Sequence, residues 1–395
     1  MESLAIHPRT PVFMRRLWRQ LAIATNWPVL VAAAVLSAAG TISIWEQSPE
    51  KGARQLVYLG VAIVCLAAIQ AVNYTSIGRY AWAFYLFSLA LVFYTVAHLP
   101  GVETVNGASA WINFRVMSLE PSELMKISFV MALARYLRFR SNYRTLTGLL
   151  PPFALALFPV MLILKQPDLG MAALFIPTLL AMLFVAGARG KHIMLVIAMG
   201  AVLAPIVLLG GSNLPIFRHL PMILKPYQSA RVTAMFSSDP QIMRDQGYQR
   251  ERALAAMGVG GLTGKGLGNV SVSRSVPEAY DDMIFAVIGE QFGFIGSIVV
   301  LTAYVVLFAA GVEISASTRE PFGKLVALGV VALLASQALL NLMVVMGLFP
   351  VTGVTLPFIS YGGSSLLASY IAAGLLLNIG QNRPLVIARD AFEFR

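Results

Sequence analysis

The sequence predicts an all-α integral membrane protein, built as a bundle of about ten transmembrane helices. Of its 395 residues, 58% are hydrophobic and only 12% are charged, whereas a soluble domain carries about 25% charged residues. Apolar runs of membrane-spanning length also recur along the whole chain. A single cysteine, Cys65, and four scattered histidines argue against a disulfide framework and against a cysteine or histidine metal centre.

Ten apolar segments are predicted to cross the bilayer, and together they make residues 1–395 one polytopic membrane domain. The predicted spans are 28–45, 55–73, 80–98, 122–138, 148–165, 169–187, 191–210, 283–310, 323–346 and 362–380. Arginines precede the first span as in a signal peptide, but its length and the spans that follow favour an uncleaved helix. Lysine and arginine are concentrated in the short loops of one side, which predicts that both termini are cytoplasmic.

Two outer segments are longer than simple connections. Residues 99–121 contain Trp111 and are predicted to lie at the membrane interface. Residues 211–282 form a large extracytoplasmic loop between the seventh and eighth helices, with an amphipathic patch over 227–236. The net charge of +11 has an ordinary explanation in cytoplasmic loops, but the basic residues of this outer loop favour an anionic ligand.

An acidic pair, Asp281 and Asp282, stands at the start of the eighth span, and Glu290 lies about two turns further in. Ionisable groups at or inside the bilayer are candidates for a functional site. Either acid could cap the helix N-terminus. Alternatively, one is a general base whose pKa is raised by burial and by the adjacent like charge. The residues alone leave the two interpretations open.

Other polar residues interrupt apolar segments. Glu123 and Lys126 share one helix face, either as a structural ion pair or as the floor of a cavity. Asp168 either caps the following helix or belongs to a site. Residues 347–365 contain prolines and glycines that exclude a continuous helix, and such backbone lines a cavity or is buried in protein. Its hydroxyl-bearing residues are Ser360, Tyr361, Ser364 and Ser365.

The glycine-rich run over residues 258–268 fails the phosphate-loop pattern, because Val259 stands at the first glycine position and Gly266 follows Lys265 where Ser or Thr is needed. It is either a flexible connector or a backbone that approaches an anion closely, assisted by Lys265.

Six motifs occur in a fixed order along nearly the whole chain. They are NGASAWINF (106–114), EPSELMK (120–126), KQPDLG (165–170), GYQRERALAAMGVGGLTGKGLG (247–268), PEAYDDMIFAVIGEQFG (277–293) and GLFPVTGVTLPFISYGGSS (347–365). Together they resemble the SEDS family, whose members include RodA, FtsW and SpoVE. The resemblance implies a peptidoglycan glycosyltransferase of the bacterial inner membrane that polymerises lipid II beside a class B penicillin-binding protein.

The resemblance also assigns roles to residues. The family's essential acid lies in a pattern like His-Thr-Asp-Phe-Ile-Phe, which matches Asp282, whereas Tyr280, Asp281 and Met283 depart from the pattern. Glu123, Lys126 and Asp168 are implied to line a polar cavity. We expect the same cavity to include Asp281, Glu290, Ser360, Tyr361 and Ser364.

The expected reaction joins the 4-hydroxyl of an acceptor GlcNAc to C1 of the donor MurNAc and releases undecaprenyl pyrophosphate. Asp282 is the expected base, and Arg231, Arg252 and Lys265 are expected to bind the pyrophosphate. A divalent cation could assist, although no spacing demands one. The expected partners are the transpeptidase, lipid II and membrane lipid, with no nucleic acid.

The outer-loop motifs look closer to RodA, and hence to cell elongation, than to FtsW of division. The alternatives are a division-type polymerase, a flippase or transporter of a lipid-linked precursor, and a non-enzymatic scaffold. A transporter would use its acids near the bilayer midplane and is expected to contain internal repeats.

Overall fold

Each of the ten predicted spans is a helix in a computed structural model of the chain, which describes residues 26–105, 108–113, 118–140, 142–210, 232 and 248–382. The helices are α1 Trp27–Gln47, α2 Pro49–Gln70, α3 Tyr74–Arg79, α4 Ala81–Val96, α5 Pro121–Arg138, α6 Leu150–Lys165, α7 Leu169–Ala186, α8 Gly190–Leu209, α9 Tyr248–Gly260, α10 Ile284–Ser317, α11 Pro321–Val345 and α12 Gly363–Gln381.

Eight of these helices are long and apolar enough to cross a membrane by length and composition. The two remaining predicted spans are α4, which has 16 residues, and α5, which carries Glu123, Lys126 and two arginines among its 18 residues. The all-α membrane architecture is therefore confirmed. The amphipathic patch predicted over 227–236 lies outside the described residues, except for Val232.

Helix starts follow local sequence rules. Proline occupies the first turn of α1, α2, α5, α6 and α11, where its missing N–H costs no hydrogen bond. The Asp168 carboxylate accepts a hydrogen bond of 2.8 Å from the Met171 N–H and so caps α7. The capping role predicted for Asp168 is thus present.

Helix α2 begins six residues before the predicted span of 55–73. Pro49 starts the helix, and Glu50, Lys51 and Arg54 fall within its first turns. The predicted span began after these residues because they are charged. Charged side chains at a helix end can nevertheless reach water while the backbone stays helical. Consequently, Lys51 and Arg54 lie on a membrane helix rather than in a loop.

The first outer segment contains a small antiparallel sheet with strand order β1-β2-β3, formed by Val102–Val105, Ala108–Asn113 and Ser118–Leu119. Trp111 pairs with Glu103 across the first two strands. The predicted interfacial segment therefore has strand structure.

The core of the bundle surrounds α12, most of which is buried. Helix α12 packs on α2, α10 packs on α1 and α11, and α11 packs on α5 and α7. Helix α8 lies at the periphery, with Ile193 as its only buried residue. An apolar helix with this exposure suits a lipid environment, so the polar residues of the core helices mark the interior.

Helix α10 is interrupted near its N-terminal end by Gly293, whose φ is 64°. The segment over 261–266 enters this break. Lys265 and Gly266 donate their N–H groups to the Glu290 and Gln291 carbonyls, at 2.9 and 3.0 Å. In return, the Gly261 and Leu262 carbonyls accept from the N–H groups of residues 294 and 295. We call this reciprocal pairing of 261–266 with 290–295 the backbone interlock.

Candidate active site

The acid pair is held through its backbone by residues from separate elements. The Tyr280 carbonyl accepts the Tyr361 N–H at 2.9 Å, the Asp281 carbonyl accepts the Ser360 hydroxyl at 2.5 Å, and the Asp282 carbonyl accepts the Asn341 amide at 2.7 Å. We call these three hydrogen bonds the carbonyl clamp. The clamp therefore fixes the acid pair through main-chain oxygens and not through its carboxylates.

Met283 occupies the N-cap position of α10, so neither Asp281 nor Asp282 stands at the capping position. Asp282 is buried, with 9% of its surface exposed, and Asp281 is half-buried. Burial, with the charges of Asp282 and Glu278, raises the pKa of Asp281 to about 8, and Lys51 opposes this shift. At neutral pH Asp281 therefore carries a proton.

A lysine and three tyrosines border the pair. The Lys51 ammonium lies 3.3 Å from the Tyr280 ring centroid and 5.5 Å from that of Tyr361. The Tyr280 and Tyr361 rings meet edge to face with centroids 5.7 Å apart, and Tyr58 packs on Tyr361 at 6.1 Å. Arg54 interacts with the Tyr361 hydroxyl. Carboxylates, cations and aromatic faces therefore meet around the acid pair, in a region that we call the mouth.

A second polar cluster lies between α5 and α11. Glu123 and Lys126 form the predicted ion pair at 3.0 Å, with both side chains 2% exposed. The Lys126 ammonium also donates to the side-chain amide oxygen of Gln337 at 2.9 Å. One Glu123 oxygen is buried with no hydrogen-bond partner among the described residues. Such an oxygen is unusual in a protein interior and is suited to receive a donor from a ligand or water.

Helix α11 connects the two clusters. Gln337 and Asn341 are four residues apart and so share a face. The Gln337 amide donates to the Thr355 carbonyl at 3.0 Å, and the Asn341 amide donates to the Val354 carbonyl at 2.7 Å. Thr355 and Val354 are adjacent in the chain, and Asn341 also holds Asp282. Hydrogen bonds and this short piece of backbone therefore link Lys126 to the acid pair.

Two further carboxylates, Asp168 and Glu120, interact electrostatically with the charges of Glu123 and Lys126. Burial raises the pKa of Asp168 to about 6, and that of Glu120 to about 8. Glu123 raises both values and Lys126 lowers both. The Ser364 hydroxyl accepts the Glu120 N–H at 2.9 Å and donates to the Ser118 carbonyl at 2.8 Å. Ser364 thus fastens the start of α5 to the start of α12.

Glu290 is fully buried, but its hydrogen bonds go to the outer loop. Its carboxylate accepts N–H groups from residues 271–273 at 2.7–3.0 Å and pairs with Lys265 at 3.1 Å. These contacts give Glu290 a structural task, and its place in the cavity stays a prediction. The Lys265 ammonium also donates to Ser271, so its charge is already partnered.

The other predicted pyrophosphate ligands differ in placement. Arg252 is exposed, and its guanidinium lies 5.2 Å from the Tyr248 ring centroid. Arg231 lies outside the described residues. Within residues 248–382, then, the two predicted loop cations are a lysine paired with Glu290 and an exposed arginine.

The glycine-rich run does not present its central amides to a ligand. Gly264, Lys265 and Gly266 direct their N–H groups to carbonyls of the protein. A Cβ added to Gly264 would lie 2.2 Å from the Gln291 carbonyl oxygen, so glycine permits close backbone approach here. Residues 261–266 of the run pair through their backbone with α10 in the interlock, and the connector and anion-binding interpretations of the whole run stay predictions.

The sequence has known relatives. A sequence model of the FtsW/RodA/SpoVE family, described as cell cycle proteins, matches residues 14–384. The chain belongs to this family. Stage V sporulation protein E of Bacillus subtilis is 35% identical over 337 residues, covering 83% of this chain and 86% of that protein. A probable peptidoglycan glycosyltransferase FtsW of Trichlorobacter lovleyi is 36% identical over 330 residues, covering 82% of each.

Solved structures of the FtsW/RodA/SpoVE family share the fold. The rod shape determining protein RodA of Thermus thermophilus superposes with a TM-score of 0.66 at 25% identity, covering 91% of this chain and 97% of that one. A chain from work on a peptidoglycan synthase complex superposes with a TM-score of 0.75 at 27% identity, covering 92% and 99%. Membership makes this chain a multi-pass protein of the bacterial inner membrane.

Several polar residues of this family member were not predicted from its sequence. Gln337 and Asn341 stand four apart in an apolar span, a signal that the sequence did offer. Lys51 and Arg54 were missed because the predicted second span began at residue 55. In the described part of the chain, no three His, Cys, Asp or Glu side chains group to hold a metal ion, and the divalent cation stays a prediction.

Proposed function

We propose that this protein is a peptidoglycan glycosyltransferase that polymerises lipid II into β-1,4-linked glycan strands. The observation that carries the proposal is the acid pair, whose backbone is fixed by the carbonyl clamp while its carboxylates remain beside an aromatic and cationic mouth. A sugar hydroxyl requires a base, and a leaving pyrophosphate requires positive charge. The names of the family relatives support the same reaction.

In the proposed mechanism, Asp282 accepts the proton of the acceptor GlcNAc 4-hydroxyl. The hydroxyl oxygen attacks C1 of the donor MurNAc as the bond from C1 to the pyrophosphate oxygen breaks, with inversion. Undecaprenyl pyrophosphate leaves with the electron pair of that bond. Burial and the adjacent acid raise the pKa of Asp281, which disfavours a second negative charge beside Asp282 and favours Asp282 as the base.

The cluster of Glu123, Lys126 and Asp168 is proposed to form the polar floor of the substrate cavity. Its unpartnered Glu123 oxygen is available to a sugar hydroxyl. Ser360, Tyr361 and Ser364 are proposed to line the same cavity, since all three contact backbone next to one of the two clusters.

Polymerisation is tested with purified protein and fluorescent lipid II on a glycan gel. We expect polymer from the wild type and a loss in rate of about 10²- to 10⁴-fold for Asp282→Asn, the range for removal of a general base. Asp281→Asn removes only the neighbouring acid. This variant should still polymerise lipid II, but its rate should depend differently on pH in the alkaline range. If Asp282→Asn retains the normal rate, the base assignment is wrong.

A well-folded wild type that makes no polymer would overturn the proposed activity. A lipid-flipping assay in liposomes would then test the transport alternative. If variants in which the acids are replaced by neutral residues keep their cellular function, the protein is instead a scaffold.

We infer that the enzyme acts in cell elongation beside a class B penicillin-binding protein. The outer-loop motifs and the superposition with RodA support this branch, while the curated relatives carry the names FtsW and SpoVE. Expression in strains depleted of either RodA or FtsW distinguishes the branches. Recovery of rod shape supports elongation, and recovery of septation alone contradicts it.

A further inference from the structure

Two of the three predicted pyrophosphate ligands have other partners in the structure. The described loop cations among the predicted pyrophosphate ligands are Lys265, which is paired with Glu290, and Arg252, which is exposed on Tyr248. Neither is seen to contact residues 280–282 in the described contacts. Negative charge grows on the leaving pyrophosphate during the reaction, and a positive group placed there in advance lowers the barrier.

Lys51 is the lysine that borders the acid pair. It lies in the first turn of α2, is half-buried, and holds its ammonium 3.3 Å from the Tyr280 ring centroid. Its charge also acts on Asp281, lowering the pKa of that carboxyl. Tyr280 immediately precedes the pair, so Lys51 lies beside the acids and acts on Asp281, the neighbour of the proposed base.

The aromatic setting keeps the lysine charge usable. Among the described residues, Lys51 is in none of the ion pairs within 4.0 Å, unlike Lys126 and Lys265. An ammonium held on a ring face is stabilised by the ring quadrupole. Its three N–H donors are not consumed by a carboxylate, so they remain for an anion.

Arg54 reinforces the same face. It follows Lys51 by three residues, one helical turn along α2, and interacts with the Tyr361 hydroxyl. Its guanidinium pairs with Glu50 at 2.6 Å in an exposed position. Arg54 therefore adds positive potential at the rim, while Lys51 stands nearer the acids.

We propose that Lys51 binds the pyrophosphate group of the lipid-linked donor, with the Tyr280 and Tyr361 rings fixing its ammonium at the mouth of the acid pair. This inference rests on the proposed function. Lys51 forms no covalent bond. Its ammonium contacts the phosphate oxygens as the bond to C1 breaks, while the acceptor proton goes to Asp282.

The test compares Lys51→Met and Lys51→Arg with a matched control, Lys191→Met, on the exposed surface at the start of α8. Undecaprenyl pyrophosphate and undecaprenyl phosphate serve as competing inhibitors of polymerisation. For Lys51→Met we expect the inhibition constant of the pyrophosphate to rise about 10- to 100-fold, the loss of one charge-assisted hydrogen bond. The constant of the monophosphate should change less, and Lys51→Arg should recover much of the difference.

An unchanged preference for pyrophosphate in a folded Lys51→Met variant would overturn the inference. If that variant does not fold, the pair Tyr280→Phe and Tyr280→Leu decides. The phenylalanine keeps the ring face and should keep the preference, whereas the leucine should weaken it. Equal preference in both would contradict the aromatic placement of Lys51.

A binding measurement distinguishes failure of the proposed function from failure of the pyrophosphate site. Undecaprenyl pyrophosphate added to the detergent-solubilised wild type should raise its unfolding temperature, and Lys51→Met should lose that shift. A Lys51-dependent shift without polymer would reject the glycosyltransferase and retain the pyrophosphate site. Polymer with a shift independent of Lys51 would reject the site alone.

Discussion

Asp281 is the residue whose surroundings change its chemistry most plainly. Burial and two acidic neighbours raise its pKa from 3.8 to about 8. An aspartate in an unfolded chain has a pKa of about 3.9, so the folded protein binds this proton more tightly than the unfolded chain does. The stabilisation by the bound proton is complete below pH 4 and is lost as the pH rises through 8.

We expect Asp281→Asn to flatten the fall in stability of the wild type between pH 4 and pH 8, the range between the unfolded and folded pKa values. The amide cannot ionise, so the variant gains relative stability as the pH rises. Thermal unfolding in detergent at a series of pH values measures the effect. Parallel curves for the two proteins would contradict it, and Glu313→Gln, at an exposed position, controls for a general effect of lost negative charge.

The buried Glu123–Lys126 ion pair predicts how the free energy of unfolding changes when one or both charges are removed. Glu123→Gln leaves the Lys126 ammonium buried, with the neutral side-chain amide oxygen of Gln337 as an acceptor. We expect the free energy of unfolding to fall by about 3–5 kcal/mol, the usual cost of an uncompensated buried charge. The double variant Glu123→Gln, Lys126→Met removes both charges and should recover most of that loss, as unfolding curves would measure. A double variant no more stable than the single one would reject this account.

At the scale of elements, the backbone interlock explains why the outer loop is rich in glycine. Gly293 and Gly264 both have φ values in the left-handed region, and a Cβ on Gly293 would lie 2.3 Å from the Gly264 nitrogen. The two backbones approach too closely for any side chain between them. The loop segment and the broken helix therefore form one structural unit.

Gly264→Ala and Gly266→Ala separate close approach from backbone strain, because both positions have a φ of 79°. A Cβ at Gly266 meets nothing within 4 Å, whereas one at Gly264 meets the Gln291 carbonyl oxygen at 2.2 Å. Gly266→Ala should cost about 1–2 kcal/mol from the left-handed conformation alone. Gly264→Ala should lower the unfolding temperature further, and equal losses would show that the close approach at Gly264 adds no cost beyond backbone strain.

The elements themselves were largely predictable, because bilayer thickness demands long apolar runs that stand out in the sequence. The start of α2 was not, since its first turns carry Glu50, Lys51 and Arg54, and charge at a helix end resembles a loop. Glu123, Lys126 and the acid pair were found as costly charges in apolar surroundings. The interlock escaped prediction because glycines indicate flexibility and tight packing equally well.

At the scale of the whole molecule, the site is assembled from distant parts of the chain. Residues of α2, α5 and α11 and of the segments before α10 and α12 contribute to it. Such an assembly exists only when the bundle is packed, so the site depends on the complete membrane fold.

The proposed orientation places the start of β1 outside the cell and the end of α10 in the cytoplasm. In a Cys65→Ser background, Leu99→Cys and Ser317→Cys are exposed reporters for the two sides. A membrane-impermeant maleimide added to intact cells or spheroplasts should label Leu99→Cys alone. Ser317→Cys should react only after permeabilisation, and the opposite pattern would invert the topology.

The carbonyl clamp grips main-chain oxygens, which every amino acid supplies. Side chains at positions 280 and 281 can therefore be exchanged without altering the hydrogen bonds that orient residue 282. Tyrosine and aspartate at these positions change the charge and the ring surface around the base while its position is kept. The architecture thus separates where the reactive group stands from how acidic its surroundings are, and a lineage or an engineer can tune the second without rebuilding the first.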